Sequence, residues 1–303
     1  MRALLIVNPV ASRVNDAVER TAVRELEEAA TVEVVRSRRH GEATDIAAAA
    51  ADDGFDAVVV LGGDGTANEV LNGVGAALPI GLLPGGGTSV MPRNLGLPPS
   101  IPAAARRLAV ALREGTSRSV RVGRLNGRRF AFNAGVGLDA EIVRRVDTHQ
   151  RTAKRRRPAD VIYARELAKV VARGTYSHPS ITLHTAHVTE RAAFVLAVNL
   201  APWSYIGPLP LDLAPAATAD GGLDIVAPRR MYRRDLAGFA QRVLIDHRHA
   251  RKAGDERIAY WHDIATASLR CDGPLPVQVD GDYIGDMLDV LIDMDREGAR
   301  YLI

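Results

Sequence analysis

Residues 58–74 read VVVLGGDGTANEVLNGV and hold the side chains with the clearest chemistry. Gly62, Gly63 and Gly65 fall within four positions, around Asp64 and ahead of Thr66. Without Cβ atoms in the way, such a turn lets the backbone come close to a ligand. Its free N–H groups, with the positive end of a following helix, favour phosphate. Asp64 puts a carboxylate inside the turn. A carboxylate beside phosphates repels them unless a cation stands between, so the pattern implies Mg²⁺. The plainer reading of the same residues is a tight strand-to-helix turn capped by Asp64 and Thr66.

The elements that must position this turn follow from hydrophobic periodicity. Residues 3–8, 32–35, 56–63 and 79–84 read as strands, and residues 15–29, 42–52 and the segment from Thr66 as helices. Strands alternating with helices predict an α/β domain with a parallel sheet and right-handed crossovers. Ligands of such sheets bind outside the carboxyl ends of the strands. Asn8, residues 62–66 and residues 85–88 each follow a strand, so three turns are expected at one edge. Ser100 is placed to cap a helix that runs to about Glu114, where Gly115 ends it.

At 303 residues, two domains are the natural expectation. The boundary is placed at residue 122, with residues 123–292 as a second domain and residues 293–303 returning to the first. The second half reads as strands over residues 129–137, 180–185, 192–199, 223–227, 265–270, 275–279 and 288–292, with a helix over 233–246. Many strands with irregular connections predict an antiparallel, β-rich sandwich. No stretch approaches the roughly 20 apolar residues of a membrane span. One cysteine, Cys271, fits a reducing cytoplasm.

Charge is uneven. The chain carries a net +3, yet the segment from Arg144 to Arg173 carries +7. Such a cluster suits an anionic membrane surface, at about 1 kcal/mol per charge, or it is a solvated helix face. Nucleic acid is not expected, because no aromatic residues alternate with the arginines. Trp203 and Tyr205, in the loop 202–207, read as core residues ahead of a lipid contact. Neither His184 with His187 nor His247 with His249 has the further ligands of a zinc site. A homodimer is compatible with the sequence.

In order along the chain, Asn8-Pro9, GGDGT with Asn68-Glu69, Gly85-Gly86-Gly87-Thr88, FNAGVGLDA (132–140), Asp220-Gly221-Gly222-Leu223-Asp224 and Asp280-Gly281-Asp282 resemble the catalytic region of the diacylglycerol kinase and sphingosine kinase superfamily, in its soluble bacterial lipid kinase branch. GGDGT alone also occurs in NAD kinases; the later motifs argue against that reading, and a nucleotide- or lipid-binding protein without catalysis is a third.

The resemblance implies ATP and Mg²⁺ as cofactors, and a lipid alcohol at a membrane surface as acceptor. It implies nucleotide contacts at Asn8, Pro9, Ser12, Ser37, Gly62, Gly63, Asp64, Gly65, Thr66, Asn68, Glu69, Gly86, Gly87 and Thr88. It implies metal contacts at Asp64 and Asp220, and catalysis by Asp64 with Asp280 or Asp282 as base. The chain departs from the family pattern at Ser12, Ser89, Arg121 and Asp282, the last standing where the family has Glu.

Overall fold

The computed structural model describes residues 1–152, 159–235, 238 and 257–303. The chain divides into two units, Met1–Val122 with Arg296–Ile303, and Gly123–Asp295. In the first unit β1 (Arg2–Val7), α1 (Asp16–Glu27), β2 (Thr31–Arg36), α2 (Glu42–Ala49), β3 (Ala57–Gly62), α3 (Asp64–Val74) and β4 (Ile80–Pro84) alternate as the periodicity predicts. α4 (Val90–Asn94), α5 (Ile101–Glu114) and β5 (Arg118–Val120) complete it. β3 is buried along its whole length, as a central parallel strand covered on both faces must be. Its Val-rich run supplies the β-branched side chains that such a position favours. α1 starts at Asn15, whose side chain accepts the Val18 N–H.

The parallel strands run in the order β2-β1-β3-β4. From β1 the chain therefore goes to one side for β2 and to the other for β3. That reversal opens a crevice at the carboxyl ends of β1 and β3, where open α/β sheets bind ligands.

The second unit is antiparallel and β-rich. Its strands are β6 (Gly123–Leu125), β7 (Arg128–Phe130), β8 (Asn133–Val136), β9 (Ile181–Thr185), β10 (Thr189–Ala192), β11 (Val195–Val198), β12 (Ser204–Ile206), β13 (Leu209–Leu211), β14 (Leu223–Pro228), β15 (Ile258–Ile264), β16 (Thr266–Val279) and β17 (Asp282–Met294). β16 pairs with β17 along one side, and with both β8 and β9 along the other, so the sheet branches there. The two strands expected at 265–270 and 275–279 are this one strand, with its register shifted between Arg270 and Leu275.

Two helices of 15 residues, α6 (Leu138–Thr152) and α7 (Ala159–Arg173), were not expected from the strand-centred reading. Leu138, Ile142 and Val146 recur one helical turn apart and are buried together with Ile162 and Val170. The arginines between them masked that period. The helix expected over 233–246 is described only as a 3₁₀ turn, Arg233–Asp235, and at Gly238, which is helical; residues 236–237 and 239–246 lie outside the described residues. The final strand, β18 (Ala299–Tyr301), adds to the first sheet between β4 and β5.

α2 packs on α3 across Gly73. A Cβ there would stand 2.3 Å from the Thr44 carbonyl oxygen and 2.9 Å from Ala47 Cβ. Alanine gains up to about 1 kcal/mol over glycine inside a helix. Overpacking against backbone costs about 1–3 kcal/mol, and here the obstacle is a main-chain oxygen that cannot swing aside. Gly73→Ala is therefore expected to lower the denaturant midpoint of unfolding. A midpoint at or above that of the parent chain would show that α2 slides freely on α3.

Candidate functional site

Three strand-end turns of the first unit meet at the β1/β3 crevice. Asn8 follows β1. Its N–H donates to the Leu61 carbonyl at 3.0 Å, and its Nδ2 donates to Thr66 Oγ1 at 2.9 Å. Its Oδ1 accepts the Val10 N–H, which folds the segment after Pro9 into a tight turn. The Gly85 N–H donates to the Gly62 carbonyl at 2.9 Å, and the Arg13 N–H donates to the Gly85 carbonyl at 3.0 Å. A Cβ on Gly86 would lie 2.7 Å from Gly63 Cα, so the two glycine loops touch backbone to backbone. A Cβ on Gly87 would come within 3.9 Å of Ser12 Oγ, which brings the turn after β1 to the same place. Ser37 sits at the end of β2, with its N–H donating to the Val7 carbonyl.

Asp64 spans the two glycine loops. It opens α3, and its carboxylate accepts the Val90 N–H at 3.1 Å on Oδ2 and the Met91 N–H at 3.2 Å on Oδ1. It therefore fixes the start of α4, where Ser89 takes a left-handed backbone. One carboxylate shared with phosphates and water is an ordinary arrangement for Mg²⁺, so Asp64 fits a nucleotide-borne cation. Asp220, expected as a metal contact, has no cluster of further ligands around it among the described residues. It is exposed, and among the described residues no group of three or more His, Cys, Asp or Glu side chains could hold an ion. Asp224 of the same motif is fully buried and accepts from Tyr260, from His262 and from the Asp263 N–H.

Asn68 and Glu69 act behind the turns. The buried Glu69 accepts the Gly41 N–H at 2.9 Å and the Ala43 N–H at 3.2 Å, and its Oε1 lies 2.9 Å from His40 Nδ1. It caps α2 and holds the segment after Ser37. Asn68 accepts from Asn72 Nδ2.

In the second unit the two aspartates of the Asp280-Gly281-Asp282 motif separate. Asp280 is 3% exposed, and its carboxylate accepts three backbone N–H groups, of Ala131 at 2.7 Å, Phe132 at 2.9 Å and Asn133 at 3.2 Å. Asp282 begins β17 opposite Val279, partly exposed, with Arg128 Nη2 at 3.8 Å. Asp280 thus ties the β7–β8 link to the hairpin, and Asp282 is the more exposed of the two carboxylates, with its Oδ2 buried.

Sequence reasoning gave no role to Asn133, Asp139 or Gln278, which form a buried polar cluster beside that hairpin. The signal at Asn133 and Gln278 was polarity inside apolar strands, and at Asp139 an acid in the first turn of α6. Burial raises the Asp139 carboxyl above its ordinary range, although Tyr163 and Gln278 donate to it. Trp203 is buried with Leu196, Val198 and Leu211, which supports the core reading of that loop. Of the basic segment, Arg144 and Arg145 pair with Glu141, while Arg165 and Lys169 pair with Glu166. The side chains of Arg151 and of residues 154–157 lie outside the described residues.

Residues 2–125 match the diacylglycerol kinase catalytic domain. The chain is 35% identical over 116 residues to a diacylglycerol kinase of Bacillus subtilis, covering 37% of each. It spans about half the length of two further curated relatives, 53% and 52%. In fold it is similar to a diacylglycerol kinase crystal structure from Bacillus anthracis, with a TM-score of 0.72 and 19% identity over 99% of this chain and 96% of that one. A more distant likeness, TM-score 0.52 and 12% identity over 100% of this chain and 94% of that one, is to an NAD kinase from Archaeoglobus fulgidus in complex with ATP.

Gly86→Ala would force the two glycine loops apart without removing any polar group. Calorimetry is expected to show the affinity for ATP with Mg²⁺ falling by about tenfold or more, close to 1.4 kcal/mol, in a chain that still unfolds cooperatively. Affinity equal to that of the parent chain would separate the contact between the loops from nucleotide binding.

Proposed function

We propose, because residues 2–125 match the diacylglycerol kinase catalytic domain, that this chain is an ATP-dependent lipid kinase acting on diacylglycerol or a related lipid alcohol. The observation that carries the reading is the meeting of three strand-end turns at one crevice, with Asp64 bridging two of them. Backbone N–H groups there suit the phosphates of ATP. Mg²⁺ held between Asp64 and the phosphates would offset their charge. Phosphoryl transfer needs positioning, charge neutralisation and a base at the acceptor hydroxyl. The hydroxyl oxygen attacks the γ-phosphorus, ADP leaves, and the hydroxyl proton passes to a carboxylate. Asp282 suits that last role better than Asp280, whose oxygens are taken up by three backbone donors.

The acceptor is reached at a membrane surface. The excess positive charge over residues 144–173 supports reversible association with anionic lipid, in keeping with a cytoplasmic protein that docks peripherally. No described helix is long and apolar enough to cross a membrane. The test is transfer of radiolabelled phosphate from ATP to lipid alcohols in anionic vesicles. Labelled phospholipid is expected, lost in Asp64→Ala and weakened as salt rises. No labelled lipid from any acceptor would refute the kinase reading, and NADP formed from NAD would replace it with an NAD kinase.

A further inference from the structure

The hairpin turn that carries Asp280 and Asp282 is tied by the Asp280 carboxylate on one side and by the amide of Gln278 on the other. Gln278 lies at the end of β16, is 1% exposed, and uses both ends of its amide. Its Nε2 donates to Asn133 Oδ1 at 2.6 Å and to Asp139 Oδ2 at 2.7 Å. Its Oε1 accepts the Gly281 N–H at 2.9 Å. Both Nε2 donors face oxygen acceptors, which fixes the amide orientation and turns Oε1 toward the hairpin. The acceptors are themselves held. Tyr163, on α7, donates its hydroxyl to Asp139 Oδ1, and Asn133 Nδ2 donates to the Trp203 carbonyl at 2.9 Å.

The turn needs this support, because both of its residues adopt left-handed backbone, with φ of 48° at Asp280 and 83° at Gly281. For Asp280 that conformation is uncommon and must be imposed by its surroundings. Asp282 follows directly and inherits its direction from the turn.

We infer that Gln278 is a positioning residue for Asp282, with Asp139, Asn133 and Tyr163 serving to orient the Gln278 amide. The inference rests on the reading of Asp282 as the base. The route runs Tyr163 to Asp139, Asp139 to Gln278, and Gln278 to the Gly281 N–H. It joins the two helices of this unit to the turn in front of the reacting group. A base must be held within hydrogen-bond reach of the proton it takes, so a slack turn lowers kcat without touching nucleotide contacts in the other unit.

The test uses the full chain and two readouts, exchange of the Gly281 amide proton and lipid kinase kinetics. Gln278→Met keeps the length of the side chain and removes every hydrogen bond. It is expected to speed Gly281 exchange and to lower kcat by about tenfold or more, with the KM for ATP unchanged.

Gln278→Glu places two carboxyl groups together at Asp139, where one shared proton can restore a donor. Its kcat relative to the parent chain is therefore expected to rise as pH falls, which a packing role alone would not produce. Gln278→Met with parental exchange and parental kcat overturns the inference. Parental chain that labels no lipid defeats the kinase reading, and amide exchange then decides the support of the turn alone: faster in the variant sustains it, unchanged overturns it. If Gln278→Met does not fold, Gln278→Glu is read the same way, and a flat pH dependence of both its exchange and its kcat overturns the inference.

Discussion

Backbone packed on backbone, where residues 62–63 meet residues 85–86, sets the terms for the first unit. Parallel strands β3 and β4 end side by side, and hydrogen bonds hold them in register as far as Gly62 opposite Pro84. Their turns must then leave in the same direction within a few ångströms of each other. A side chain at Gly86 would meet Gly63 Cα at 2.7 Å. Once the loops touch, their N–H groups can point outward only if something else fixes the loops. Asp64 and Asn8 do this, the first by accepting from the start of α4 and the second by bonding to Thr66. Glu69 extends the same scaffold to the segment after β2. The polar side chains named around the crevice thus spend bonding capacity on holding the shape of the loops.

The second unit solves a similar problem with buried polar groups. Two adjacent left-handed residues, 280 and 281, are secured by Asp280 from one side and by Gln278 from the other. Buried polar groups are costly unless satisfied. Here each of the hydrogen bonds named for Gln278 also defines a direction, so the burial that makes the cluster expensive to disturb makes the turn specific. Asp282 accepts none of the hydrogen bonds named for Gln278 and is partly exposed.

Much of this was legible in the sequence. β-Branched runs such as AVVVLG marked the buried strands, and glycines at strand ends marked the turns, because both signals are local. The antiparallel character of the second unit followed from many strands with irregular connections. What escaped was non-local or masked by charge. The three N–H donors to Asp280 come from residues 147 to 149 positions away, and no spacing rule connects them. Glu69 looked like part of a phosphate turn, while its partners at Gly41 and Ala43 lie 28 and 26 positions away. The bounds of α6 and α7 escaped because the segment 144–173 reads first as a charged flank, although Leu138, Ile142 and Val146 carry the helical period. Asp280 and Asp282 could not be told apart until the hairpin register placed one inward and the other at the surface.

The central claim is that the turns after β1, β3 and β4 form one phosphate site. Its most direct test is an amide titration of the ¹⁵N-labelled chain with ATP and Mg²⁺ by nuclear magnetic resonance. The account predicts saturable shifts, with one common affinity, at the amides of residues 10–13, 62–66 and 85–89. Saturable ATP binding that leaves those three stretches unmoved, or that moves only one of them, would contradict it.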